Sequence, residues 1–363
     1  MKATQQLHDL GQSLWLDNIT RGLLTSGTLG RYINDLSVTG LTSNPTIFEH
    51  AIKDADFYDD AIRQRALAGE SGEALFFELA LEDLTQAADL FHPIHDATGG
   101  VDGWVSLEVS PLLADDTAGT IKAAARLHAR AQRSNLFIKI PGTAAGIPAI
   151  EEMIFAGVPV NVTLLFSREH YIAAAEAYMR GIERRIAAGR DARVASVASI
   201  FVSRWDVAAK DKVPDVLRNR LGIAIAMRTY QAYRDLLASQ RWRKLAASGA
   251  RPQRLLWAST GTKDPAAPDV LYVEALAAPD TIDTMPEKTL LAFADHGKVK
   301  DAMRFDGGNA EAVLAGFTRV GINDEALAAD LQREGTAAFT KSWNDLMSRV
   351  ASKSDVLTKA DQA

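Results

Sequence analysis

The stretch Asn135-Leu136-Phe137-Ile138-Lys139-Ile140-Pro141-Gly142-Thr143 sets a lysine in the middle of an apolar run that reads as a buried strand. Successive strand side chains alternate between two faces. Phe137, Lys139 and Pro141 share one face, and Ile138 and Ile140 share the other. The bulk of the isoleucines suits packing against helices, so Lys139 points the opposite way. A lysine near a strand end commonly lets its head reach solvent, and buried lysines are uncommon. Desolvation disfavours an ammonium ion, and a neutral amine in an apolar site can attack a carbonyl and form a Schiff base.

Outward from this stretch, short β-rich runs alternate with amphipathic helical runs. The strand candidates are Leu14–Ile19, Val38–Asn44, Trp104–Ser110, Leu136–Gly142, Val158–Phe166, Val194–Ser203, Arg254–Thr260 and the short, polar Thr281–Met285. Helical patterns such as Thr117–Arg133 and Ser167–Ala188 are rich in Ala, Glu and Arg. Eight such alternations predict an α/β protein with one (β/α)8 TIM barrel over residues 1–350. An open doubly wound sheet is the alternative, but no G-x-G-x-x-G turn follows the first strand. Helical insertions are expected at 54–91 and 205–248, a helical C-terminal extension at 287–350, and a flexible tail at 351–363.

Alternation also sorts the polar residues of these strands. Asp17, Asn44, Glu108, Lys139, Asn161, Thr163 and Ser199 fall on the lumen side of six different strands, with Val160, Val162 and Leu164 facing the helices. Most lie in the C-terminal halves of their strands, where barrel active sites form. Burying so many polar groups is costly unless each is hydrogen-bonded. A satisfied structural network explains one or two of them, but a convergent set points to catalysis.

Composition narrows the class of partner. The 363 residues carry 46 acidic and 40 basic side chains, a net charge of -6, which favours neither nonspecific nucleic-acid binding nor an anionic membrane. The basic cluster Arg241, Arg243 and Lys244 reads as a solvated helix face. With no cysteine, disulfides, thiol catalysis and thiolate metal sites are excluded. The N-terminal residues lack a signal-peptide pattern, and no apolar run reaches the roughly 18–20 residues of a spanning helix, so a cytoplasmic location is expected. His92 and His95 flank Pro93, which argues against their lying one turn apart on a regular helix and so against a metal site there.

The sequence resembles the transaldolases, above all their long bacterial form. The resemblance rests on Thr39-Gly40-Leu41-Thr42-Ser43-Asn44-Pro45, Val105-Ser106-Leu107-Glu108-Val109, Phe137-Ile138-Lys139-Ile140-Pro141-Gly142-Thr143, Asn161-Val162-Thr163-Leu164-Leu165-Phe166-Ser167 and Ser199-Ile200-Phe201-Val202-Ser203-Arg204. These motifs stand in order between about residues 14 and 260, while the C-terminal third matches loosely. The resemblance implies transfer of a dihydroxyacetone unit from fructose 6-phosphate or sedoheptulose 7-phosphate to erythrose 4-phosphate or glyceraldehyde 3-phosphate. It implies no cofactor and no metal, because the protonated Schiff base is the electron sink. Small-molecule sugar phosphates are the expected partners, and the chain is expected to be a monomer or homodimer.

By the same resemblance Lys139 attacks the ketose carbonyl, and Glu108 and Thr163 handle protons through a water. Asp17 takes the proton of the C4 hydroxyl. Asn44, Asn161 and Ser199 hold the dihydroxyacetone hydroxyls, and Arg204 grips the phosphate. The family usually offers a second arginine after strand seven; here the segment is Ala258-Ser259-Thr260-Gly261-Thr262-Lys263, so Lys263 is the candidate in its place, with Ser259 also expected to bind substrate. A lysine there is a point charge and not a planar fork. Two rival readings remain: a fructose 6-phosphate aldolase releasing free dihydroxyacetone, and a catalytically silent regulatory barrel. Phe201 opposes the first, since a phenyl ring cannot supply the hydroxyl that would position a protonating water. The presence of Lys139 and Asp17 opposes the second.

Overall fold

Eight parallel strands close on themselves in sequence order. They are β1 (Ser13–Asp17), β2 (Val38–Thr42), β3 (Trp104–Glu108), β4 (Leu136–Pro141), β5 (Val160–Leu165), β6 (Ser196–Phe201), β7 (Arg254–Ala258) and β8 (Ile282–Met285), and β8 pairs with β1. The computed structural model describes residues 1–53 and 56–359; positions 54 and 55 of the expected insertion and the last four of the expected tail lie outside these. All eight expected strands form, most of them shorter than the apolar runs that announce them, because the flanking residues turn into loops. The polar β8 is a strand because Thr284 faces other hydroxyls in the lumen: its Oγ1 lies 2.7 Å from that of Thr42.

The lumen changes character along its axis. Trp15, Phe137, Val197 and Ile282 each precede a polar residue by two positions on β1, β4, β6 and β8, and they join Trp104 and Leu256 in one buried apolar cluster. The Trp104 and Phe137 rings stack with centroids 4.1 Å apart. The Trp15 indole N–H and the Thr39 hydroxyl both donate to Asp102, each at 2.8 Å, so the polar atoms of this layer are satisfied. Gly40 makes room for the indole: a Cβ there would stand 2.7 Å from Trp15 and from the Trp104 carbonyl. A layer of rings therefore crosses the lumen above a cavity of about 470 Å³ at the N-terminal end, lined in part by Trp104, Phe137 and Val197, and the polar residues named above lie towards the C-terminal end.

Three sequence expectations change. The β5 register slips between Val162 and Leu165, and Leu164 takes a left-handed backbone with φ of 58°. This bulge turns Leu164 away from the helical shell and into the cluster holding Phe166, Phe201 and Phe339; bulges commonly re-aim side chains beside active sites. Pro93 does not break its helix, Gly72–Ala97, because it and Asp89, four residues back, lie on an exposed face where water can serve the freed carbonyl. His92 and His95 are accordingly one turn apart with nearly parallel rings, and with Asp96 their ligand atoms lie within 4.8 Å of one another. Arg241 is not merely solvated; it pairs with Glu176 at 2.5 Å and Glu183 at 2.6 Å.

The C-terminal helix, Asp324–Lys359, is one continuous element, so the expected tail from Ala351 is helical as far as Lys359. Its course is fixed by buried Trp343, Leu346 and Val350 and by the Lys353–Asp59 ion pair at 2.6 Å. Trp343 packs on Phe76 and Phe77 of the first insertion. Among the described residues no helix is long and apolar enough to cross a membrane.

Candidate active site

Neighbouring strand registers bring the chemistry together. Glu108 on β3 pairs with Lys139 on β4, which pairs with Asn161 on β5. The Lys139 ammonium donates to Glu108 Oε2 at 3.0 Å and to the Ser43 carbonyl at 3.2 Å. Both side chains are nearly closed to solvent, at 6% for Lys139 and 3% for Glu108. Burial pushes the Glu108 carboxyl above its ordinary range, and the adjacent Lys139 charge only partly offsets that. The contact puts a carboxyl group within hydrogen-bond reach of the Lys139 nitrogen, the distance a proton transfer between them requires.

Asp17 closes β1 at the mouth. The Thr42 hydroxyl donates to its Oδ1 at 2.8 Å. Burial raises its pKa, with Lys139, Thr42, Lys263 and Arg204 pulling the other way. A carboxylate poised above its usual range is a stronger base when ionised. Thr163, on β5 beside the bulge, presents a buried Oγ1 with no hydrogen-bond partner. Such an atom needs a water or a substrate group.

Below these groups runs a relay of neutral polar atoms. Ser199 Oγ donates to Asn161 Oδ1 at 2.7 Å, and Asn161 Nδ2 donates to Ser106 Oγ at 3.1 Å. Asn161 is fully buried and does not line the open cavity; nor does Glu108. The other nine residues expected from sequence do line it: Asp17, Asn44, Lys139, Thr163, Ser199, Phe201, Arg204, Ser259 and Lys263. The cavity measures about 620 Å³. Asn44 also accepts the Ile47 N–H at 3.1 Å, so it caps the helix Pro45–Lys53.

Cations gather at the outer side. Arg204 projects from the short helix Ser203–Ala209, and burial lowers its pKa despite Glu108, Asp17 and Glu334. Among the described residues neither Arg204 nor Lys263 has a hydrogen-bonded or ion-paired partner. Ser259, with φ of 58°, turns the chain after β7 so that its hydroxyl meets that of Ser203 at 2.9 Å. Two cations beside a polar cavity, with carboxylates nearby but none in direct contact among the described residues, leave N–H donors free for an anion.

Sequence reasoning missed one wall of this cavity. Phe339 of the C-terminal helix lies 5.6 Å from Lys139 Nζ and 5.7 Å from Arg204 Cζ, measured to the ring centroid. Nothing local announces it, since Phe339 reads as an ordinary apolar position of a long helix. Thr42 and Thr284 also line the cavity; their signal is a polar residue on the lumen face of a strand.

Comparison with known proteins places the chain among relatives. Residues 14–350 match the model of the family described as transaldolase/fructose-6-phosphate aldolase. A transaldolase of Thermobifida fusca (strain YX) is 45% identical over 356 residues, covering 96% of this chain and 97% of that protein. Transaldolases of Arthrobacter sp. (strain FB24) and Saccharopolyspora erythraea are each 44% identical, covering 96% and 97% of this chain and 96% and 97% of their own lengths.

Proposed function

From the premise that the chain belongs to the transaldolase/fructose-6-phosphate aldolase family, we propose that it is a transaldolase moving a dihydroxyacetone unit between sugar phosphates through a Schiff base on Lys139. The observation that carries this reading is the buried Lys139–Glu108 pair at 3.0 Å, set in a barrel mouth with Asp17 on its rim. A metal ligand set is not needed around Lys139, since the iminium itself accepts electrons.

The steps follow from these positions. Glu108 takes a proton from Lys139, and the amine adds to the ketose carbonyl. Proton return through a water, held by the unpartnered Thr163 hydroxyl, expels hydroxide as water and leaves the iminium. Asp17 then removes the C4 hydroxyl proton. The C3–C4 bond breaks, its electrons move to the iminium nitrogen, and an enamine and an aldehyde result. The incoming aldehyde is attacked by the enamine, Asp17 returns the proton to the new hydroxyl, and water adds to the re-formed iminium, releasing the product ketose and the Lys139 amine. Asn44 and Ser199 contact the three-carbon hydroxyls, with Asn161 orienting Ser199 from beneath. Arg204 and Lys263 receive the phosphate, with Ser259 beside them.

A coupled assay tests this reading. With fructose 6-phosphate and erythrose 4-phosphate, glyceraldehyde 3-phosphate should form, and it should form much more slowly without the acceptor. Borohydride with fructose 6-phosphate should leave a reduced adduct on Lys139. A label on another lysine, or none, overturns the assignment.

A further inference from the structure

The C-terminal helix approaches the mouth through one stripe of residues. Gln332, Gly335 and Phe339 are spaced at three and four positions and so share a helix face. The Gln332 amide donates to the Gly142 carbonyl at 3.1 Å and the Leu164 carbonyl at 2.9 Å, tying the helix to the loops after β4 and β5. Gly335 lies flat on the site: a Cβ there would stand 3.0 Å from Leu164 Cδ2 and 3.1 Å from Arg204 Nη1. One turn on, Phe339 is buried against the Arg204 guanidinium, whose Cζ is also 4.9 Å from the Phe201 ring.

We infer that this helix completes the anion end of the site, with Gly335 and Phe339 as positioning residues that hold Arg204 ready for a phosphate. The inference rests on the reading above, in which Arg204 receives the substrate phosphate. Aromatic rings hold a guanidinium without using its N–H groups. Arg204 is thereby ordered in advance while its donors stay free for a bidentate contact. Ordering a long side chain in advance removes a loss that binding would otherwise incur. The absence of a side chain at 335 sets how closely the helix lies on Arg204 and on Leu164, the left-handed residue that follows Thr163.

The test compares wild type with Phe339→Leu, Phe339→Tyr and Gly335→Ala, using fructose 6-phosphate and unphosphorylated fructose as donors. Leucine keeps an apolar side chain but loses the ring face; tyrosine keeps the face. Phe339→Leu should raise KM for fructose 6-phosphate roughly 10-fold, the lower end expected for a charged hydrogen bond, with a smaller change in kcat. KM for fructose should move far less. Phe339→Tyr should restore most of the loss, and the inhibition constant of inorganic phosphate should rise in Phe339→Leu by a similar factor. Gly335→Ala should resemble Phe339→Leu; if it fails to fold, the Phe339 pair decides. Equal effects on both donors, an effect on kcat alone, or no rescue by tyrosine overturns the inference while leaving the transaldolase reading intact. A wild type that forms no Lys139 adduct and transfers nothing overturns that reading first.

Discussion

Replacing Asp17 by asparagine separates the chemistry of the site from its stability. Asparagine keeps the Oδ1 that accepts from Thr42 at 2.8 Å, so the rim should hold its shape. It cannot take the C4 proton. Loss of a general base slows the step by roughly 10²–10⁴-fold, about 3–5 kcal/mol of barrier. Schiff-base formation precedes that step, so the Lys139 adduct should still form. Stability should move the other way. In wild type, burial holds the Asp17 pKa above 3.8 even though Lys139, Thr42, Lys263 and Arg204 all oppose it. A folded-state acid raised in this way makes the protein lose stability as pH rises from its unfolded value through its folded one. The variant has no such loss, so its Tm at neutral pH should equal or exceed that of wild type, and the difference should close below pH 3.8. Borohydride trapping with peptide mapping, coupled turnover and thermal unfolding at two pH values give the three readouts. Undiminished turnover removes Asp17 from cleavage. A Tm several degrees lower at neutral pH shows that the counter-ion role of Asp17 outweighs its desolvation, and the electrostatic argument fails.

Other positions carry separate expectations. Asp283 is buried on the outer side of β8, accepts from Thr260 at 2.8 Å through Oδ1, leaves Oδ2 unpartnered, and is pushed up to about 7 by burial. Wild type should therefore lose stability as pH rises from 3.8 towards 7, and Asp283→Asn should gain in Tm over wild type between about pH 5 and about pH 8; a difference that does not change with pH refutes this. Gly40→Ala forces a Cβ to within 2.7 Å of the Trp15 indole and the Trp104 carbonyl, and should destabilise by about 1–3 kcal/mol or more in chemical denaturation, with the Lys139 adduct still formed by the molecules that fold. Chelator treatment should leave turnover unchanged, and activity that is lost and then restored by a divalent cation contradicts the Schiff-base scheme.

The sequence made the barrel legible because eight apolar runs alternate with amphipathic helices, and most of the site legible because strand alternation fixes which residues face inward. Lys139, Asp17, Thr163 and Ser199 were readable on that ground alone. Leu164 was misassigned by the same rule, since a bulge breaks the period of two and no local residue marks it. Pro93 misled for a related reason: its effect depends on whether the freed carbonyl meets water, which is a tertiary fact. Phe339 and Gly335 were invisible because their roles depend on where a helix more than a hundred residues from Arg204 comes to rest. Asn161 is expected to hold the substrate and Glu108 to act through a water; neither lines the open cavity, and alternation, which reports only the face a side chain takes, does not distinguish such positions.

Among the described residues, the rings that cross the lower lumen separate the Lys139 cavity from the one at the N-terminal end. Trp15, Trp104 and Phe137 block passage through the barrel, and the C-terminal helix narrows what remains open above Lys139. The aldehyde cut from the donor must leave by the same opening through which the acceptor arrives. In the mechanism proposed above both aldehydes use the same phosphate contacts at Arg204, so they are not held together. The kinetics should therefore be double displacement: parallel lines in reciprocal plots at fixed acceptor concentrations, competition between the acceptor and the first product, and isotope exchange between ketose and its own aldehyde when no acceptor is present.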